Sequence, residues 1–234
     1  MPGQKFVVLL KASGDRPAFR RWVLEQYAPG LVSAPDLTGL TVNLVDVTPN
    51  LGQPMSTAGA KPADDDTACD ATLELWANGR PATLDKLLKD RTLADKANIV
   101  GAYRLSEHPK FDHQPVAKPG ARTVGFKFQP LIQWRDDVSV ADARRIWGEH
   151  ISIVHAVHQY MSKYVQNWVE EEIVAGDVPR NGMAQIWYSN LADFEQRHYG
   201  NDQGLAIVRA DTTRFIKGAT PLFTSEYVLK RRPR

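Results

Sequence analysis

The stretch KFVVLLKASGDRPAFRRWVLEQYAPGL, residues 5–31, contains a strand pattern followed directly by a helix pattern. Its apolar run lies between two lysines, and the ASGD that follows is a typical turn sequence. In the helical part, Pro17 suits a first helical turn, and Phe19, Val23 and Tyr27 have the spacing of one helix face. The stretch therefore predicts a strand and a helix that packs one apolar face on a sheet.

The remainder of the first half completes a known order of elements. LTGLTVNLVDV and ACDATLELWAN predict two strands, ATLDKLLKDR predicts a helix, and VGAYRLSEH predicts a last strand. The order is βαββαβ, which is that of a ferredoxin-like unit.

The same order recurs after a loop rich in proline, lysine and glycine at residues 114–122. VGFKFQPLIQW predicts a strand, SVADARRIWGEHISIVHAVHQY a long helix, KYVQNWVEE and MAQIWYSN two strands, LADFEQRHY through DTTRFIK helices, and LFTSEYVL a closing strand. Sliding the chain on itself places residues 5–31 on 128–154, with Tyr27 on His150. We therefore predict a duplication, with one unit at 1–113, a linker at 114–122 and a second unit at 123–234.

Two such units have a physical reason to pair within one chain. Helices cover only one face of each four-stranded antiparallel sheet, so the other face, expected to be apolar, must be buried against a second sheet. The predicted fold is α+β, with two tandem ferredoxin-like βαββαβ units whose antiparallel sheets pack as an α/β barrel.

Composition narrows the functional classes. Lys and Arg number 29 and Asp and Glu 27, and this near balance argues against a nucleic-acid partner, with the basic tail LKRRPR expected to be a solvated end. Cys69 is the one cysteine, so an intrachain disulfide and a cysteine zinc cage are excluded. The first apolar run is too short for a signal peptide or a membrane span. We expect a cytoplasmic protein without a membrane partner.

The stretch GEHISIVHAVHQY, residues 148–160, contains three of the six histidines. His150 lies within the apolar stripe of the predicted helix, one turn from Trp147, and should face the sheet. No two of the three histidines have the i, i+4 spacing of a zinc-binding helix pair, so no metal site is expected. His155 is expected to face solvent, whereas His158 lies near the edge of the stripe and is a candidate for lining a cleft.

Two interpretations of His150 follow from its position. A histidine on an apolar face can be a core residue with a hydrogen-bond partner, or it can serve general acid/base chemistry near neutral pH. The aromatic residues around it can be core packing or the walls of a site for a flat aromatic ligand. The candidates for ligand contact are Trp134, Trp147, His158, Trp187, Tyr188 and the mid-strand amide Asn167, which could equally satisfy a neighbour.

Two helix segments, FRRWVLEQYAPGLV (19–32) and ARRIWGEHISIV (143–154), resemble a motif of the EthD-like branch of the dimeric α/β-barrel superfamily. DTTRFI (211–216) resembles the Asp and aromatic residue that this family often has before its last strand. The first segment has Tyr27 where the family usually has histidine. The second keeps His150 but has Ile-Ser in place of Ala-Pro. The resemblance implies that His150 is the functional imidazole. It also implies that Tyr27 lines a cleft in the first half, whose role has diverged from that of the second half.

The resemblance also implies a class of function. Members of the superfamily commonly hold ligands between the helices and the sheet of a unit, and many need no cofactor; others handle haem. We therefore predict a cofactor-independent lyase in which His150 acts on a small aromatic, phenolic or polyketide-like substrate, with decarboxylation or related C–C cleavage favoured and cyclisation or elimination open. The alternatives are a haem protein with His150 as axial ligand and a non-catalytic binding protein. The chain could be a monomer or a homodimer.

Overall fold

A computed structural model describes residues 3–50 and 68–232 of the chain. The first half follows the predicted order of strands and helices. Its elements are β1 (Gln4–Ala12), α1 (Arg16–Trp22), a π-helical turn (Val23–Tyr27), α2 (Ala28–Leu31), β2 (Gly39–Leu44), β3 (Ala71–Ala77), α3 (Ala82–Leu87), α4 (Arg91–Ala94) and β4 (Ala97–Asp112).

The second half repeats this order, with some elements divided. Its elements are β5 (Phe126–Phe128), β6 (Leu131–Trp134), α5 (Val140–Glu149), α6 (Ile151–Val157), β7 (Met161–Val174), β8 (Gly182–Tyr188), α7 (Leu191–Arg197), α8 (Asp202–Thr212), β9 (Ile216–Thr220) and β10 (Phe223–Lys230). The segment DTTRFIK, predicted as helical, forms the end of α8 and the start of β9.

The strands close into one antiparallel barrel. The first half contributes the order β4–β1–β3–β2, and the second half contributes the same ferredoxin-like order as β10–β5–β8–β7. β2 pairs with β10, and β4 pairs with β7, so each sheet meets the other along both edges. The predicted fold class is confirmed.

Proline divides the first strand of the second half, which the sequence predicted as continuous. β5 and β6 both pair with β8, but Pro130 lies between them and has no backbone N–H to donate to the ladder. Pro221 lies in the same way between β9 and β10. The two interruptions face each other, because β6 pairs with β9 and β5 pairs with β10.

The long helix predicted from SVADARRIWGEHISIVHAVHQY is also divided. It begins at a side-chain cap in which Ser139 accepts the N–H of Asp142. α5 ends at Glu149 and α6 begins at Ile151, with His150 at the junction. His158 has φ −94° and ψ 63° and ends the helix, so its direction does not follow from the helical spacing.

The two faces of each sheet differ in what they bury. The outward faces pack against the helices as two apolar cores, one containing Phe6, Val8 and Phe19 and the other containing Phe128 and Trp147. The inward faces fill the barrel. At one end of the barrel they are apolar, as predicted, through Val7, Leu9, Leu105, Leu131 and Met183.

At the other end, the expectation of an apolar barrel interior is wrong. Glu74 lies 2.9 Å from Lys5 and 2.5 Å from Lys127, and Lys127 lies 3.0 Å from Glu226. All four side chains are buried. Burial of these charged side chains is tolerated because each has an oppositely charged group within contact distance. Burial opposes ionisation of Glu74, but Lys127 and Lys5 outweigh this effect and lower the pKa of Glu74 well below its ordinary value.

Strand pairing corrects how the two halves correspond. Lys5 lies opposite Trp76 across β1 and β3, and Lys127 lies opposite Trp187 across β5 and β8. Lys5 therefore corresponds to Lys127, whereas the sequence comparison placed it on Phe128. A one-residue slip exchanges the faces of a strand, because successive side chains point to opposite sides.

Candidate active site

His150 and Asp211 form a buried pair between two helical segments. His150 lies at the junction of α5 and α6, Asp211 lies in the last turn of α8, and His150 Nδ1 is 2.7 Å from Asp211 Oδ2. His150 is 7% exposed and Asp211 8%. The other carboxylate oxygen of Asp211 accepts a hydrogen bond from Arg214 Nη1 at 2.8 Å.

Asp211 remains ionised, which fixes the proton of His150. Burial acts to raise the pKa of Asp211, but the hydrogen bonds and charges of His150 and Arg214 outweigh it and hold that pKa below its ordinary value. A carboxylate can only accept, so His150 Nδ1 carries the hydrogen of this contact. The ring nitrogen Nε2 is then the one that can act on a ligand.

A cavity of about 70 Å³ lies beside this pair, between the outward face of the second sheet and the helices α5, α6 and α8. Its walls include His150, Trp147, Val154, Ile186 and Phe215. Among the described residues, no lysine, arginine, aspartate or glutamate lines it. Because charge is costly to bury without a partner, the cavity favours an uncharged ligand.

His158 lines the same cavity with its protonation fixed by the backbone. Its Nδ1 contacts the carbonyl oxygen of His198, which can only accept, so Nδ1 donates and Nε2 has a free lone pair. Burial lowers the pKa of His158 to about 4 against the opposing effect of that hydrogen bond, and burial lowers the pKa of His198 as well. His158 is thus a neutral hydrogen-bond acceptor at neutral pH.

Tyr164 supplies a donor on the cavity wall. Its hydroxyl oxygen accepts hydrogen bonds from Trp147 Nε1 at 3.0 Å and from Gln166 Nε2 at 3.1 Å. Burial raises the pKa of Tyr164 to about 12, so it keeps its proton at neutral pH. The two bonds occupy the oxygen lone pairs, and the hydroxyl hydrogen can be donated to a ligand oxygen.

Three of the side chains selected from the sequence meet at this cavity: His150, Trp147 and His158. Trp134 lies in the apolar core of the second half, outside the cavity wall. Tyr188 lies behind the wall, with its hydroxyl 2.5 Å from His198 Nδ1.

The other three selected side chains lie elsewhere. Asn167 and Trp187 point into the barrel, where Asn167 Nδ2 donates to the carbonyl of Met183 at 3.0 Å. Strand alternation places them on the face opposite to the cavity. Tyr27 lies in the first half, where its hydroxyl donates to Asp90 at 3.1 Å and burial raises its pKa.

Sequence reasoning did not assign three residues of this site. Asp211 was present in the DTTRFI resemblance but received no role, and Tyr164 and His198 were not selected. Asp211 is 61 residues from His150 along the chain, and His198 is 40 from His158. No local spacing could reveal contacts across such distances.

The geometry of the site bears on two kinds of cofactor, haem and a metal ion. His150 backed by Asp211 is the kind of donor pair that suits an axial haem ligand. The cavity volume does not fit, because about 70 Å³ is roughly half of the ~150 Å³ that holds a benzene molecule, and a haem is much larger. Within residues 3–50 and 68–232, no group of three histidine, cysteine or acidic side chains is placed to hold a metal ion.

The chain is similar to solved structures over nearly its whole length. An anthrone oxidase-like protein superposes with a TM-score of 0.63 at 9% identity, covering 100% of this chain and 96% of that one. A chlorite dismutase from Candidatus Nitrospira defluvii gives 0.57 at 9% identity, with 97% and 91% covered. A dye-decolorizing protein from V. cholerae gives 0.55 at 14% identity, with 96% and 93% covered.

These likenesses show a shared fold, which agrees with the predicted α/β barrel, while membership of the dimeric α/β-barrel superfamily remains a prediction. No protein-family model and no curated protein matches the sequence, so the EthD-like branch remains a prediction. None of the helices in the described parts of the chain is long and apolar enough to cross a membrane.

Proposed function

We propose that the chain is a cofactor-independent enzyme in which His150 removes a proton from a small, uncharged phenol, enol or ketone. The observation that supports this most directly is the pairing of His150 with Asp211 beside a cavity whose described walls carry no other charged side chain. An imidazole with one nitrogen bonded to a carboxylate and the other open to a ligand is the usual arrangement of a general base.

Two fixed polar groups face the ligand, one suited to binding it and one to the negative charge that forms in the reaction. His158 Nε2 can accept a hydrogen bond from a hydroxyl, and the Tyr164 hydroxyl can donate to an oxygen. The remaining wall is apolar, as in most small-molecule sites. Because an aromatic ring needs roughly 150 Å³, a substrate with one ring requires the lining to move apart, and larger polyketide-like molecules are disfavoured.

The proton transfer follows from these positions. His150 Nε2 takes the proton, and Asp211 stabilises the imidazolium that results. The substrate oxygen gains negative charge, which the Tyr164 hydroxyl stabilises by hydrogen bonding in a largely apolar cavity.

The anion formed in this way can react further as a lyase substrate. Among the predicted reactions, cyclisation, elimination and cleavage of a neutral C–C bond suit the cavity better than decarboxylation. A carboxylate substrate would have no lysine or arginine on the described walls to offset its desolvation. A second candidate is oxidation of the same anion by O₂, which the name of the anthrone oxidase-like neighbour favours.

Deuterium exchange tests the step that all these reactions share. The protein is incubated in D₂O with 2-butanone, cyclohexanone and 2′-hydroxyacetophenone, and loss of the α-proton NMR signal is followed. We expect exchange above the buffer rate in the native protein and in His155→Gln, whose histidine is exposed on the same helix. Exchange should fall to the buffer rate in His150→Gln. Equal exchange in His150→Gln and the native protein would refute the proposal, and O₂ consumption separates oxidation from lyase chemistry.

Three further proposals concern the domain boundaries, the location and the oligomeric state of the protein. We propose that residues 1–113 and 123–234 are the duplicated units joined by 114–122, and that the protein works in the cytoplasm. Closure of the barrel within one chain supports a monomer, which light scattering would distinguish from a homodimer.

A further inference from the structure

We propose that the charged end of the barrel is a second ligand site, which binds a planar aromatic anion. A cavity of about 400 Å³ opens there, within the ~300–1,000 Å³ typical of small-molecule pockets. Trp76 from the first half and Trp187 from the second half both line it.

The duplication has placed the same three residue types on equivalent strands. In the first half, Lys5 Nζ lies 5.0 Å from the centre of the Trp76 ring and 3.2 Å from Glu107 Oε1. Trp76 Nε1 donates to the other oxygen of Glu107 at 3.4 Å.

The second half repeats this arrangement with shorter contacts. Lys127 Nζ lies 4.7 Å from the centre of the Trp187 ring and 3.0 Å from Glu226 Oε2. Trp187 Nε1 donates to Glu226 Oε1 at 3.0 Å. Both halves thus hold a tryptophan rigidly, with its indole N–H bonded and its ring at the cavity.

The acidic groups of the cavity wall are already compensated. Glu74 contacts Lys5 and Lys127, Glu107 contacts Lys5 and Arg232, and Glu226 contacts Lys127. Asp112 lies 2.8 Å from Lys163. The wall therefore offers little negative charge to attract a cationic ligand.

The mouth of the cavity carries additional positive charge. Lys230 and Arg231 line it, whereas Arg232 and Lys163, which also line it, are paired with Glu107 and Asp112. Lys230 Nζ donates to the backbone carbonyl of Ala34 at 3.0 Å, and Arg231 donates to that of Ala117. These carbonyls carry no net charge, so the cations at the mouth favour an anion.

Both tryptophan rings also lie close to a cation. Arg232 lies 4.6 Å from the centre of the Trp76 ring, and Lys163 lies 4.8 Å from that of Trp187. An aromatic ring in the cavity can stack on indole while its acidic group meets Lys230 and Arg231, for which the described part of the chain shows no carboxylate partner. The combination selects aromatic carboxylates, sulfonates or phosphates over neutral rings.

This site is separate from the cavity of His150. The two cavities share no lining residue among those that the structure describes, and they lie on opposite faces of β8. Trp187 faces the barrel, whereas Ile186 lines the His150 cavity. Ligand binding at the barrel can therefore be tested without reference to the proposed reaction.

The test uses naphthalene-2-sulfonate as the probe and neutral 2-naphthol as its matched control, with binding measured by calorimetry on the full chain. We expect the sulfonate to bind more tightly than the naphthol by about tenfold, and a Lys230→Gln/Arg231→Gln variant to lose about that factor. These two side chains are partly or fully exposed, so the variant should fold. Trp187→Leu should weaken binding by about tenfold through lost stacking.

His150→Gln separates this proposal from the proposed function. It should bind the sulfonate as the native protein does. Equal affinity for sulfonate and naphthol, unchanged affinity in the Lys230/Arg231 variant, or loss of binding in His150→Gln would each overturn the barrel site. Loss of deuterium exchange alone would overturn only the proposed reaction.

Discussion

His150 Nδ1 and Asp211 Oδ2 lie 2.7 Å apart, although 61 residues separate them in the chain. One belongs to the junction of α5 and α6 and the other to the last turn of α8, so the pair exists only when both helical segments pack on the second sheet. The contact fixes the tautomer of His150 and leaves its Nε2 for a ligand.

Asp211→Asn should reduce the exchange reaction strongly. An amide can donate as well as accept, so it no longer fixes the His150 tautomer, and it has no charge to stabilise an imidazolium. We therefore expect a loss of about 10²-fold or more in kcat. Arg214→Gln is the matched control, because Arg214 bonds the same carboxylate from the surface and should cost far less. Comparable losses in the two variants would show that the carboxylate is structural.

Tyr164→Phe should lower kcat by about 10²-fold with little change in KM. The variant removes a hydroxyl hydrogen that we expect to stabilise negative charge only as it forms on the substrate. Tyr160→Phe serves as the control, since Tyr160 is 39% exposed. A change in KM alone would assign Tyr164 to binding and contradict the proposed role.

Stability should fall between pH 6.5 and pH 4 because of His158. Burial lowers the pKa of His158 from 6.5 to about 4, so the unfolded chain binds this proton more readily than the folded one. Its contribution to stability is full above pH 6.5 and decreases by about 2 kcal/mol on going from pH 7 to pH 5. Urea denaturation at both values measures this loss.

Substitution shows how much of this pH-dependent loss of stability is due to His158. His158→Gln should have a smaller difference in unfolding free energy between pH 7 and pH 5 than the native protein. His155→Gln, which changes an exposed histidine of the same helix, should keep the native difference. A native difference in His158→Gln would mean that other groups, such as His198, account for the pH dependence.

Glu74→Gln should destabilise the fold by about 3–5 kcal/mol, because it leaves Lys5 and Lys127 buried with one carboxylate fewer. Glu171→Gln is the comparison, since its pairs with Arg80 and Arg104 are exposed, and it should cost less than about 1 kcal/mol. Urea denaturation at pH 7 tests both. Equal stability of the two variants would show that the barrel charges are not coupled as their contacts indicate.

Addition of haem should give no Soret band that depends on His150. The cavity of about 70 Å³ is too small for the macrocycle, even though His150 and Asp211 suit an axial ligand pair. Absorption spectra of the native protein and of His150→Ala with added haem provide the measurement. A Soret band present in the first and lost in the second would favour the haem alternative over a cofactor-independent enzyme.

Local patterns in the sequence determined the fold. Strand and helix periodicity in residues 5–31 and its recurrence later in the chain predicted two βαββαβ units and their closure into a barrel. The apolar stripe of the second helix also selected Trp147 and His150, which both line the cavity. The fold prediction succeeded because the spacing within each element carries it, whereas the functional role of His150 stays a prediction.

Tertiary structure decided everything that depends on contacts between elements. The partner of His150, the acceptor for His158 and the compensation of Lys5, Lys127 and Glu74 come from strands and helices distant in sequence. Pro130 divides a strand that the sequence pattern predicted as continuous. Strand pairing shows that Lys5 corresponds to Lys127, whereas the ungapped sequence comparison placed Lys5 one position further on, at Phe128. A one-residue slip is invisible in composition, yet it exchanges the barrel interior for the helix-covered face, and only backbone pairing resolves it.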